Sequence, residues 1–166
     1  MNTNGEHEVW ISTTELENHM ASFGQPDYAG QKDLTNACWP KWEALGREPF
    51  RFEAKSLALT RAAYDKIVAS ECPCEYVRTA LVWAERFSKE RPEDIWLAEW
   101  VGLLTDAMAS DEGITAMYVM MIAETEHGID MRQSSPWAGV LSSCERTNVL
   151  IEFVEKWEMA HCEELK

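Results

Sequence analysis

From Glu53 to the end of this 166-residue chain, apolar residues recur at three- and four-residue steps in one window after another. That period lines side chains along one side of a helix, whereas a half-buried strand needs strict alternation. Leu57, Ala58, Ala62, Tyr64, Ile67 and Val68 form one such stripe and predict a helix from about Ala54 to Ser70. A second begins at Pro73, a favourable first-turn residue, and carries Tyr76, Val77, Ala80, Leu81, Ala84 and Phe87 to about Ser88. Pro92 heads a third, with Glu93 and Asp94 at the end where the helix dipole favours negative charge. Its body, Ile95 to Met108, leaves only a narrow polar strip of Glu99, Gly102 and Asp106, which predicts a central position.

Ser110 caps a fourth helix, expected over about Asp111 to His127 and stopped by Gly128. Ser135 and Pro136 predict a short helix carrying Trp137, Val140 and Leu141. From about Glu145 a longer one places Val149, Leu150, Phe153, Val154, Trp157 and Ala160 in a single stripe. Residues 1–52 are interrupted repeatedly by glycine and proline. Only Ser12 followed by Glu15, a capping-box pattern, predicts a helix there, to about Phe23. Trp39 and Trp42 suggest a short helix around Pro40, and Phe50-Arg51-Phe52 an extended piece. The expected fold is all-α and single-domain over 1–166: a helical bundle or stacked antiparallel helical hairpins, about five to seven helices. Residues 1–52 form its less regular segment and 53–166 its helical core.

Lysine and arginine number 15 against 29 aspartates and glutamates, for a net charge of −14. Such a charge favours solubility and repels phosphate backbones, so no direct nucleic-acid binding is expected and a partner protein with a basic surface is. The charge is unevenly spread. Residues 92–131 hold nine acids and no lysine or arginine, while residues 31–70 hold seven bases against five acids. Helix starts explain Glu93, Asp94, Asp111 and Glu112. Glu99, Asp106, Glu124, Glu126 and Asp130 remain as candidates for an acidic docking face. Of the eight tryptophans, Trp83, Trp96, Trp100 and Trp157 fall on regular stripes and are expected in the core, as are Met117 and Met120 or Met121. Trp10, Trp39, Trp42 and Trp137 lie in irregular segments and are the candidate aromatic contacts.

No apolar run approaches the roughly 20 residues of a membrane span, and the N-terminus has no signal-like apolar region, so no membrane association and a cytoplasmic location are expected. Five cysteines, an odd number, suggest free thiols packed as small apolar groups. Cys72-Pro-Cys74 lacks the usual spacing of a zinc knuckle. Phosphate-binding glycine loops and nucleophile-elbow patterns are missing, and no enzyme activity or cofactor is expected.

Two Glu-x-x-His units, Glu124 with His127 and Glu158 with His161, put a carboxylate and an imidazole on one helical face. The pattern resembles half the ligand set of ferritin-like di-iron carboxylate bundles, and the resemblance implies a di-metal site completed by Glu85 and Glu99. A histidine near a helix C-terminus also complements the dipole, which accounts for both imidazoles without metal. The leading functional expectation is a non-enzymatic binding protein (inhibitor, immunity protein or adaptor) that uses an acidic, tryptophan-containing surface. Its most specific form is nucleic-acid mimicry against a nuclease or CRISPR-type effector. The alternatives are the di-metal protein and a structural subunit, and self-association is compatible with each.

Overall fold

Among the described residues the first helix starts where Glu53 turns its carboxylate back onto the Phe50 backbone N–H at 2.8 Å, satisfying a donor that a first turn otherwise leaves bare. It is α1, Arg51–Ala69, so Arg51 and Phe52 are helical and the extended piece expected there does not form. The computed structural model describes residues 39–162, and within them the chain is all-α, with six helices and no strand. Trp10 and the helix expected from Ser12 lie outside the described residues.

α2, Pro73–Glu90, begins at the predicted proline. α3, Ile95–Ala109, is capped by Asp94, whose carboxylate accepts from the backbone N–H groups of Trp96 and Leu97, both at 3.2 Å. Pro92 therefore sits in the preceding turn and does not open the helix. Ser110 alone joins α3 to α4, Asp111–Met121, and its hydroxyl accepts from Gly113 N at 3.0 Å. A Cβ at Gly113 would lie 2.0 Å from the Asp106 carbonyl oxygen, so only glycine permits this approach of α3 and α4.

The helix expected to continue to His127 ends at Met121. Thr125 starts a new one, α5, Glu126–Gln133, with its hydroxyl accepting from Gly128 N at 3.0 Å. Gly128 is thus a first-turn residue and no terminator. Its role is packing, because a Cβ there would fall 2.4 Å from the Ala123 carbonyl oxygen. Ser135 to Leu141 form turns and no helix. α6, Ser143–His161, opens with the reciprocal bonds of a capping box between Ser142 and Glu145, at 3.2 and 2.7 Å, two residues earlier than the stripe predicts. Trp42 opens a turn closed by its backbone pairing with Arg47, and Trp39 lies in the irregular chain before it, so neither is in a helix.

α3 packs against both α2 and α4, while α1 contacts α2, α4, α5 and α6. The main core joins Ile67 of α1, Val77 and Ala84 of α2, Trp100 and Leu104 of α3, Met117 and Met121 of α4, and Met131 of α5. Each large side chain fully buried there stabilises the fold by about 1.5–3 kcal/mol. The Trp100 indole donates to the Met131 carbonyl at 2.8 Å, tying α5 to α3. α3 is central on one face only. Ile95, at 64% exposure, with Ala98, Gly102 and Thr105, faces outward, because its apolar residues exceed the arc its neighbours cover. No helix among the described residues is long and apolar enough to cross a membrane.

Candidate functional site

On α3, Ile95, Glu99 and Asp106 share the outward face, spaced by four and seven residues. Glu99 reaches the first turn of α5, where its carboxylate meets His127 Nε2 at 2.6 Å, and the His127 ring lies edge-on to Trp96 at 5.3 Å between centroids. Glu126 and Asp130, one turn apart on α5, extend the same acidic neighbourhood. Asp106 lies about 10 Å further along α3 from Glu99, from the 1.5 Å rise per residue. Of the nine acids in residues 92–131, three have arginine partners, Asp94 with Arg91, Glu124 with Arg61 and Glu126 with Arg47, and a fourth, Glu99, is hydrogen-bonded to His127. The Glu124 and Glu126 contacts are 3.6 and 3.7 Å long and well exposed, so each is worth little in water. Glu93, Asp106, Asp111, Glu112 and Asp130 have no ion pair among the described residues. Their negative potential is turned to solvent.

The aromatic candidates are placed differently from expectation. Trp42 and Trp137, each 4% exposed, are core residues. Trp42 packs on Leu57 and Ile129 beneath its turn, and Trp137 meets the Trp100 ring edge-to-face at 5.6 Å. Trp39 is half-buried between Phe153 and Trp157. An irregular backbone does not free its side chain, because a turn can lay a ring into the core as well as a helix does. Trp83, expected inside, is exposed and stacks on Phe87 at 5.2 Å. Phe50 and Phe52, at 58% and 57% exposure, form the other exposed aromatic pair.

The two Glu-x-x-His units do not converge. Because Glu124 precedes α5 and His127 lies in its first turn, they do not share a helical face. The C-terminal dipole therefore does not account for His127. Glu124 turns to Arg61 and His127 to Glu99. His161 does end α6, with Nε2 at 2.5 Å from Glu48, Nδ1 at 2.8 Å from the Trp157 carbonyl and its ring stacked on Trp157. Glu158 and Glu85 are exposed. Among the described residues no three His, Cys, Asp or Glu side chains gather as a metal site would need, so these residues do not fit a di-metal centre. Cys72, Cys74, Cys144 and Cys162 are free and exposed, not packed inside as expected.

One functional group was not anticipated. Arg132 is 4% exposed. Its Nη1 donates to the Ala123 carbonyl at 2.7 Å, but among the described residues Nε and Nη2 have no acceptor, and neither does the buried Trp137 indole N–H. Burial pulls the Arg132 guanidinium down to about 10, partly offset by the more distant Glu124, so it stays charged at neutral pH. Each bare buried donor costs about 1–3 kcal/mol. No periodicity marks such a residue. The available signal was the position of Arg132, a base ending a long acidic run within the apolar residues Ile129, Met131 and Trp137. No protein-family model matches the chain, and neither a curated protein nor a solved structure is similar to it.

Proposed function

We propose that the chain is a non-enzymatic cytoplasmic protein that binds a basic partner protein through the α3–α5 face, as an inhibitor, immunity protein or adaptor. The observation that carries this reading is the outward alignment of Ile95, Glu99 and Asp106 beside Glu126 and Asp130, within a nine-acid run of which five members have no ion pair among the described residues. Carboxylates without partners leave their field in solution, where it steers an oppositely charged surface and selects against acidic ones. Ile95 and the half-buried Trp96 supply apolar area beside the charges, the usual complement of an interface that must hold as well as attract. Trp42 and Trp137, as core residues, have no part in it. Nucleic-acid mimicry is the most specific form of this reading.

The test is capture of a basic protein from native lysate by the wild-type chain and by a variant carrying Glu99→Lys, Asp106→Lys, Glu126→Lys and Asp130→Lys. Loss of capture with unchanged helicity is the expected result. Steep salt dependence and competition by DNA would identify mimicry. Equal capture by both proteins would refute the acidic face.

A further inference from the structure

α2 and α3 are joined by the short connection 91–94 and pack side by side, so they run antiparallel. Each leaves one strip of its surface uncovered. On α2 the strip holds Arg78, Val82 and Lys89, spaced by four and seven residues, with Val82 59% exposed. On α3 it is the outward face of Ile95, Ala98, Gly102 and Asp106, with Glu99 at its margin. Arg78, Lys89 and Asp106 have no ion pair among the described residues. Gly102 is a second sign. A Cβ there would meet nothing within 4 Å, so one copy of the chain has no packing need for glycine at this point, unlike Gly113 and Gly128. Glycine inside a helix weakens it, and on an open face it is suited to close approach from outside. The two strips also match in height. Arg78 is 12 residues from the end of α2 at Glu90, and Asp106 is 11 from the start of α3 at Ile95. Val82 and Gly102 are 8 and 7 residues away, Arg86 and Glu99 4 each, and Lys89 and Ile95 1 and 0. Each pair is therefore level to within about 1.5 Å along the helices.

We infer that the α2–α3 surface binds a second copy of the chain, face to face about a two-fold axis parallel to the two helices. Such an axis keeps every residue at its height and exchanges left for right, so α2 of each copy lies over α3 of the other, antiparallel to it. Arg78 then meets Asp106, Arg86 and Lys89 meet Glu99, and Val82 lies over Gly102, each contact occurring twice as two-fold symmetry requires. Opposite charges meet and the small residue admits the apolar one. The other acids of α2 do not oppose those of α3. Glu75 stands beyond the height of Asp106, opposite the end of α3 at Ala109. Trp83 marks the flank of α2 turned to Gly139, so Glu85, two residues on, takes the opposite flank, toward α3. Glu99 reaches away from α2 to α5, and the exchange keeps it on the far side from Glu85. The net charge of −14 per copy opposes association, so the dimer is a weak one. This inference does not rest on the basic-partner reading, although both use α3. Glu126 and Asp130 serve that reading alone, and Arg78 and Lys89 serve this one.

Sedimentation velocity of the full chain at about 0.15 M salt, where long-range repulsion is screened, measures self-association over a concentration series. The expected result is a monomer–dimer equilibrium with a Kd of about 100 µM or tighter. Arg78→Glu with Lys89→Glu should weaken it about 10-fold or more, and so should Glu99→Lys with Asp106→Lys. An equimolar mixture of these two variants should restore dimers, because acid then meets base in both halves of the interface. Gly102→Leu should abolish dimers with the monomer Tm unchanged or raised, since the new side chain meets nothing in its own copy. The inference is overturned if the wild type stays monomeric up to about 0.5 mM, if both charge-reversed variants associate as well as the wild type, if their mixture stays monomeric, or if Gly102→Leu dimerises normally. Capture of a basic partner should survive Arg78→Glu with Lys89→Glu, so the two readings fail separately.

Discussion

α5 serves two regions of opposite character. Glu126 and Asp130 contribute to an acidic face in contact with solvent, and Arg132, two residues further on, is a buried cation with two N–H groups that find no acceptor among the described residues. Charge in water is inexpensive and its placement is loosely constrained, so the acidic face can be broad and mostly unpaired. Charge in the interior is costly and demands answering groups. The chain's net charge therefore describes its shell and says little about the chemistry inside it.

If both regions depend on one helix, moving that helix should disturb both. Gly128→Ala places a Cβ 2.4 Å from the Ala123 carbonyl oxygen, a backbone atom that cannot swing aside. We expect a loss of about 3 kcal/mol and a Tm lower by about 6–12 °C by thermal denaturation, with weaker binding at the acidic face. An unaltered Tm would show that the α4–α5 junction accommodates the methyl group and that the two regions are not coupled through it.

The regions should respond oppositely to removal of charge. Arg132→Met keeps much of the volume and removes a buried cation with two bare donors, so stability should rise by about 1–2 kcal/mol. Urea denaturation measures this. A loss of more than about 1 kcal/mol would mean that the guanidinium is already answered within the fold.

Paired carboxylates separate from unpaired ones in their pH dependence. Glu145 is held at about 2, below its ordinary 4.5, first by the hydrogen bond from Lys66 at 2.7 Å and then by the Ser142 N–H. Glu53 is lowered by the paired hydrogen bonds from Arg47 at 2.9 and 3.0 Å. Folded values below unfolded ones give stabilisation that is complete above pH 4.5 and is lost as pH falls towards 2. The urea midpoint should hold from pH 7 to 5 and fall between 4.5 and 2. Glu145→Gln should flatten part of that fall, and an identical curve for this variant would remove the Lys66 pair from the account.

The all-α architecture was legible in the sequence because burial writes a 3.6-residue period over long windows. The start of α2 at Pro73 and the Leu150-Phe153-Val154 stripe of α6 emerge where that period and the proline and capping signals place them. Boundaries failed where a local signal has two meanings. Gly128 reads as a helix stop or as a close-packing residue, and only the neighbouring Ala123 carbonyl decides. The acidic residues of the candidate face could be named from charge alone, whereas Trp42 and Trp137 were misplaced because turns carry no period that reveals which way a ring points. The burial of Arg132 follows from tertiary packing, and no spacing announces that.

The smallest effect expected on stability is also the sharpest test of the solvent-facing region. Asp106 and Asp130 have no ion pair, and neither is buried, so Asp106→Asn with Asp130→Asn should change unfolding free energy by no more than about 0.5 kcal/mol. The same pair should slow association with the basic partner several-fold at low salt, because steering depends on the summed field and not on contacts. At about 0.5 M salt, where screening shortens the reach of exposed charges to a few ångströms, variant and wild type should associate at equal rates. A deficit that persisted there would mean that the two carboxylates touch the partner directly, and the face would then act through contact and not through its field.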